Sequence, residues 1–246
     1  MRIGIFDSGV GGLTVLKTLI KNYPHNEYIY YGDTLNLPYG NKTIKELEEL
    51  SSKDIEFLLS KKVDIIIIAC GTVSSNCLSY LKKKYSIPIY DIINPTIKYL
   101  NNSNYNNIGI IATNATIDSH IFKNNLNKSK IVYEIKTKEL VPIIENNNYD
   151  NLSNILDNYL KEYQNKLDIL VLGCTHYPIL IKEINKYLNN QVKILDMSIP
   201  LLNSINNIKD NQTSSINIYY SSLSNILINN TKRILELDNI NIESNI

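Results

Sequence analysis

The sequence contains no tryptophan, and only three cysteines and nine glycines occur among its 246 residues. An odd number of cysteines leaves no closed disulfide framework, so a fold held together by disulfides is not expected. The longest apolar runs are far too short to cross a bilayer. An excess of charge is also missing, because 25 basic and 24 acidic residues give a net charge of +1. No basic stripe indicates a nucleic-acid partner.

The beginning of the sequence offers no long apolar segment either. The chain reaches Asp7 after a short apolar stretch, whereas a secretory signal peptide has a longer apolar region. We therefore expect a cytoplasmic protein with reduced cysteines. With 43% hydrophobic residues, the chain is able to bury a substantial core.

Strand-like and helix-like segments alternate along the chain, which is typical of a parallel α/β sheet. The predicted strands are Arg2–Phe6, Glu27–Tyr31, Val63–Ala69, Ile87–Tyr90, Asn107–Ala112, Ile131–Ile135, Leu167–Leu172 and Ser215–Tyr220. The predicted helices are Gly11–Tyr23, Thr43–Lys61, Val73–Tyr85 and Ser222–Leu235, with further helices across Lys138–Lys166.

The second half of the chain repeats landmarks of the first. Ile108 follows Ile3 by 105 positions within similar Ile-Gly-Ile segments, and Cys174 follows Cys70 by 104. We therefore predict an α/β fold of two similar parallel-sheet domains related by pseudo-symmetry, with the active site in the cleft between them. The first domain is predicted to comprise residues 1–92 plus about 201–246, and the second residues 93–200.

Two of the cysteines end buried strands in matching contexts. Asp64 opens the apolar run that Cys70 closes, and Asp168 opens the run that Cys174 closes. Ligands bind at this edge of an open α/β sheet. A thiol beside a helix N-terminus is expected to have a lowered pKa. His176 adds a proton partner for Cys174. Inert packing is the competing interpretation of any lone buried cysteine, and we adopt it for Cys77 inside a predicted helix.

Several polar segments follow the other strands. Asp7, Ser8 and the glycines after them suit either helix capping or anion binding. Their spacing is not that of a dinucleotide site. Tyr39, between Pro38 and Gly40, is consistent with either a surface turn or a site that binds a carboxylate. Thr113–Thr116 again suits capping or anion binding. No metal site is expected, since neither Cys70 nor Cys174 has a partner at ligand spacing and the three histidines are scattered.

Taken together, these motifs resemble the glutamate racemases of the aspartate/glutamate racemase superfamily. The matching segments, in the order of that family, are Asp7–Leu16, Tyr31–Thr34, Pro38–Gly40, Ala69–Ser74, Ile108–Ser119 and Leu172–Pro178. The resemblance implies cofactor-independent interconversion of L- and D-glutamate, which supplies D-glutamate for bacterial peptidoglycan. It also implies a small-molecule substrate as partner, with no cofactor, metal, nucleic acid or membrane, and it leaves a homodimer possible.

The resemblance also assigns roles to residues. Cys70 and Cys174 are expected to be the two catalytic acid/base residues, supported by Asp7 and His176. All four also belong to the expected substrate-binding set, which is Asp7, Ser8, Pro38, Tyr39, Gly40, Cys70, Gly71, Thr72, Thr116, Glu145, Cys174, Thr175 and His176. Glu145 is expected at the cleft edge, near the substrate ammonium.

Three alternatives stay open beside this interpretation, and one departure from the family pattern motivates the non-catalytic one. The family commonly has asparagine directly after the first catalytic cysteine, where this chain has Gly71. A racemase for aspartate or another acidic amino acid is one alternative. A non-catalytic amino-acid-binding relative is a second, and a thiol redox pair is a third.

Overall fold

In the computed structural model, residues 1–205, 208, 214–238 and 240–244 are described, and they form two parallel β-sheets. The six strands of the first sheet, in spatial order, are β10 (Asn241–Ser244), β9 (Ser215–Tyr220), β2 (Glu27–Gly32), β1 (Arg2–Asp7), β3 (Ile65–Ile68) and β4 (Ile89–Asp91). The four strands of the second are β6 (Ile131–Lys136), β5 (Asn107–Ala112), β7 (Ile169–Leu172) and β8 (Lys193–Asp196).

Helices connect the strands and cover the sheets. In the described residues they are α1 (Leu13–Asn22), α2 (Ile44–Ser60), α3 (Gly71–Asn76), α4 (Leu78–Lys84), α5 (Ile93–Asn101), α6 (Asn114–Asp118), α7 (Ile121–Asn125), α8 (Leu140–Glu145), α9 (Leu152–Leu160), α10 (Ile181–Tyr187), α11 (Ser198–Ser204) and α12 (Asn225–Leu235). Short 3-10 turns span Thr34–Asn36, Tyr39–Asn41, Lys161–Tyr163 and Tyr177–Leu180.

The two sheets share one strand pattern. The order β2-β1-β3-β4 in the first sheet corresponds to β6-β5-β7-β8 in the second. The two repeated aspartates make equivalent hydrogen bonds. Asp64 Oδ2 accepts the Arg2 N–H at 2.7 Å, and Asp168 Oδ2 accepts the Asn107 N–H at 2.8 Å. Each thus ties the start of a cysteine strand to its neighbour. The predicted fold class, two similar parallel-sheet α/β domains, is confirmed.

Burial of apolar side chains holds these elements together. All four residues of β3 and of β7 are buried, as their continuous apolar sequences predict. Helix α1 packs Leu13, Leu16 and Leu19 into a core cluster that also includes residues of β5 and β7. The two halves therefore share part of one core, which fixes the cleft between them.

Some local predictions differ from the structure. The single helix predicted over Val73–Tyr85 is two helices, α3 and α4, which meet at the buried Cys77. The strand predicted over Ser215–Tyr220, in contrast, is β9 with the same bounds, and it pairs in parallel with β2 on the first sheet. The domain limits at residues 92 and 200 stay a prediction, and the proposed tail 201–246 lies partly outside the described residues. Within the described part of the chain, every helix is too short or too polar to cross a membrane.

Candidate active site

A cavity of about 400 Å³ lies at the carboxyl ends of the strands, and residues of both halves line it. Its volume is within the usual range of small-molecule sites. The lining residues from the first half are Ser8, Leu37, Pro38, Tyr39, Gly40, Asn41, Cys70, Gly71 and Thr72. Those from the second half are Thr113, Asn114, Lys138, Glu139, Val141, Pro142, Ile143, Ile155, Gly173, Cys174, Thr175 and His176.

Most of the residues predicted for the site line this cavity. The exceptions are Asp7, Thr116 and Glu145, which are absent from the wall and contact residues that form it. Both cysteine thiols are free, and each lies two residues beyond the end of its strand. The cavity thus receives one sulfur from each half.

Cys70 is the N-cap residue of α3 and has two polar partners. Its thiol makes a long 3.9 Å contact with Ser8 Oγ, and the Val73 N–H donates to its sulfur. Burial raises the pKa of Cys70 well above its ordinary value, and the charge of Asp7 raises it further. The expected lowering of this pKa by a helix N-terminus is wrong, because desolvation outweighs both hydrogen bonds.

Cys174 belongs to a hydrogen-bonded chain of three side chains. Its sulfur lies 3.5 Å from His176 Nδ1, and His176 Nε2 lies 2.6 Å from Glu145 Oε1. Burial alone lowers the pKa of His176, but the hydrogen bonds and charges of Cys174 and Glu145 outweigh it and raise the pKa well above its usual value. Burial likewise opposes ionisation of Glu145, yet His176 lowers the pKa of that carboxyl.

Glu145 also contacts the glycine-rich segment after β1. The Val10 N–H donates to Glu145 Oε1 at 3.2 Å, and a Cβ at Gly9 would collide with that same oxygen. This segment therefore does approach an anion, as its sequence suggests, and in the structure the anion is the carboxylate of Glu145. The expected contact of Glu145 with a substrate ammonium stays a prediction.

Asp7 is fully buried beneath the same segment. Its Oδ2 accepts the N–H groups of Gly9 and Gly12 at 3.1 and 3.0 Å, and its Oδ1 accepts the Thr175 hydroxyl at 3.2 Å. Burial raises the pKa of Asp7, although His176 and these hydrogen bonds partly offset the increase. Asp7 thus joins the first half to Thr175, next to Cys174.

Gly71 lies where the two halves approach closely. A Cβ at this position would lie 2.7 Å from the Gly173 carbonyl oxygen, which is backbone and has little freedom to move. Any side chain at position 71 therefore requires a wider cleft than this one. Across the same junction, Thr113 Oγ1 lies 3.0 Å from the hydroxyls of both Thr72 and Thr116.

Sequence reasoning left several wall residues unassigned. Thr113 is not one of them, because the sequence already assigns it to capping or anion binding, and it both caps α6 and lines the cavity. Asn41 and Lys138 carry no such signal. They reach the wall because they belong to the Tyr39–Asn41 turn and to the segment before α8, both of which border the cavity.

Known proteins with similar sequences and structures share this arrangement of sheets. The sequence profile of the Asp/Glu/Hydantoin racemase family matches residues 17–201. Glutamate racemase of Fusobacterium nucleatum subsp. nucleatum is 41% identical over 208 residues, or 82% of this chain and 78% of that protein.

Solved structures agree with the sequence matches. Glutamate racemase from Aquifex pyrophilus has a TM-score of 0.84 at 38% identity, covering 98% of both chains. Glutamate racemase from Francisella tularensis, in complex with D-glutamate, has a TM-score of 0.87 at 28% identity, covering 99% of this chain and 96% of that one. The resemblance seen in the sequence is confirmed, and the chain belongs to the Asp/Glu/Hydantoin racemase family.

Proposed function

We propose that this chain interconverts L- and D-glutamate without a cofactor, using Cys70 and Cys174 as reciprocal acid and base. The observation that carries the proposal is a single cavity to which each half contributes one free thiol. Substrate and product are mirror images at one carbon, so the proton must leave one face and return to the other. Glutamate is the proposed substrate because the relatives named above are glutamate racemases, one of them in complex with D-glutamate.

The surroundings of the two sulfurs suggest their protonation before substrate binds. A protonated His176, held by the Glu145 carboxylate, is in position to donate to the Cys174 sulfur. Burial and the negative charge of Asp7 keep the proton on Cys70. We propose that Cys174 removes the α-proton of one enantiomer while the Cys70 thiol protonates the opposite face. Racemisation of the other enantiomer requires the reverse arrangement, in which Cys70 is the thiolate base and Cys174 is the thiol that donates the proton.

Removal of the α-proton places negative charge on the α-carboxylate of the substrate. Hydrogen-bond donors fixed in advance around that group stabilise the charge as it develops. We propose the hydroxyl of Thr72 and the backbone N–H of Thr175 as donors, because the Thr175 hydroxyl already donates to Asp7. Ser8 and the backbone amides of Tyr39 and Gly40 are proposed as further contacts. Each of these residues lines the cavity. The D-glutamate formed is proposed to supply peptidoglycan synthesis in the cytoplasm.

The substrate is tested by offering the purified protein L-glutamate and L-aspartate separately in heavy water. Optical rotation reports racemisation, and proton NMR reports exchange at the α-carbon. We expect both signals with glutamate and neither with aspartate. Turnover of aspartate alone would make the protein a racemase for another acidic amino acid, and binding without exchange would make it a non-catalytic relative.

The residues are tested by Cys70→Ser and Cys174→Ser. Serine is a much weaker acid than cysteine, so we expect each variant to lose racemisation by at least about 100-fold. Cys77→Ala is the matched control, since Cys77 is buried at the junction of α3 and α4, outside the cavity wall. Wild-type rates in either serine variant would contradict the two-cysteine scheme.

A further inference from the structure

Tyr39 contributes to the cavity wall, but its hydroxyl is engaged by protein carboxylates. The residue is buried, and its hydroxyl donates to Asp33 Oδ2 at 2.6 Å. The Tyr39 hydroxyl oxygen also lies 3.2 Å from Asp54 Oδ2. Two acidic side chains thus share one phenol at the base of the Tyr39–Asn41 turn.

The two carboxyl groups differ in their other partners. Asp33 follows β2, and both of its carboxyl oxygens accept from Asn36 Nδ2, at 3.0 and 2.9 Å. Asp54 lies on α2 and is only 2% exposed. Within the described part of the chain, the Tyr39 hydroxyl is the one hydrogen-bond partner of the Asp54 carboxyl.

A phenol has a single proton to donate. The 2.6 Å distance assigns that proton to the bond with Asp33, so Tyr39 Oη faces Asp54 with lone pairs. Two oxygens 3.2 Å apart then attract each other only when Asp54 supplies a proton of its own. A buried carboxylate with no donor would instead carry the full cost of desolvation.

The charges around Asp54 favour the same protonation. Burial raises the pKa of Asp54 well above its ordinary value, and the charges of Asp33 and then Asp7 raise it further. The Tyr39 hydrogen bond and Lys53, on the same helix, act in the opposite direction and are outweighed.

We propose that Asp54 is a neutral carboxylic acid that donates to Tyr39 Oη, while Tyr39 donates to the Asp33 carboxylate. Asp54 is therefore a positioning residue, because this chain of hydrogen bonds fixes Tyr39 and with it the cavity wall at Pro38–Asn41. The expected effect of Asp54 on substrate affinity rests on the proposed glutamate racemisation, whereas the protonation state of Asp54 is independent of it.

The test compares Asp54→Asn with Asp54→Ala. The asparagine amide keeps the size of the acid and its ability to donate to Tyr39, so we expect a glutamate KM and a thermal midpoint close to wild type. Alanine removes the donor and leaves a cavity, so we expect KM to rise about tenfold, with a smaller change in kcat.

Asp91→Asn is the matched control for this comparison. The buried Asp91 carboxyl accepts from the N–H groups of Ile93 and Asn94 and from Asn94 Nδ2, at 2.8–3.0 Å. It therefore acts purely as an acceptor, and asparagine should lower the thermal midpoint there. Equal damage from asparagine at positions 54 and 91 would contradict a protonated Asp54.

An infrared difference spectrum between wild type and Asp54→Asn tests the proton without any activity. At neutral pH we expect the carbonyl stretch of a protonated carboxyl in the wild type, absent from the variant. A carboxylate band in its place would overturn the inference, even if glutamate is racemised. If glutamate is not turned over, the spectrum and the thermal midpoints still decide the protonation of Asp54.

Discussion

Replacement of Glu145 by glutamine removes the negative charge behind His176 while keeping the shape of the side chain. The Glu145 carboxylate lies 2.6 Å from His176 Nε2 and 3.2 Å from the Val10 nitrogen. A glutamine oxygen is able to accept both hydrogen bonds, so the substitution removes the negative charge and leaves the two contacts in place. Hydrogen bonds to charged groups contribute about 1.5–3 kcal/mol and neutral ones about 0.5–1.5 kcal/mol. The expected loss is therefore about 1–1.5 kcal/mol, or about tenfold in rate.

Initial rates from L- and from D-glutamate, measured across pH, provide the assay for Glu145→Gln. The two enantiomers have equal free energy in water, so kcat/KM must fall by the same factor in both directions, whereas the two kcat values are free to differ. Glu134→Gln is the matched control, because Glu134 contacts His120 at 2.7 Å in a similar pair outside the cavity wall. Unchanged kcat/KM and an unchanged pH profile in Glu145→Gln would refute a role of Glu145 in supporting His176.

Three further predictions concern the junction of the halves and the titration of His176. A methyl group in Gly71→Ala would lie 2.7 Å from the Gly173 oxygen, so we expect urea titration to show a loss of about 1–3 kcal/mol in stability; an unchanged midpoint would contradict the close approach. In Gly11→Ala the new Cβ meets the His176 ring, and we expect slower racemisation with a shifted pH profile; wild-type behaviour would argue against this packing. Because folding raises the pKa of His176, its protonation stabilises the protein fully below about pH 6.5, and this stability is lost as the pH rises through the raised value. Thermal midpoints should thus decrease from neutral to alkaline pH, and a flat profile in that range would count against the raised pKa.

The parts of the fold that follow from the sequence are those with a local or repeated signal. The continuous apolar runs of β3 and β7, and the echo of Asp64 in Asp168, are enough to predict two parallel sheets with matching cysteine strands. The rule that ligands bind at the carboxyl ends of such strands then predicts the position of the cavity.

The features that the sequence does not predict depend on tertiary contacts. The direction of the Cys70 pKa shift follows from burial, which the residues around position 70 do not specify. The bond between Glu145 and His176 joins residues 31 positions apart, and that between Tyr39 and Asp54 depends on how α2 packs against the Tyr39–Asn41 turn. The helix break at Cys77 has no glycine or proline to mark it.

Deuterium labelling early in the reaction tests the two-cysteine account most directly. Wild-type protein is incubated with L-glutamate in heavy water, and the α-deuterium content of both enantiomers is measured before much product has formed. Two bases on opposite faces predict D-glutamate that carries solvent deuterium, while the remaining L-glutamate keeps its proton. Product that retains the original proton, or substrate that gains deuterium as fast as product forms, would contradict a separate acid and base at Cys70 and Cys174.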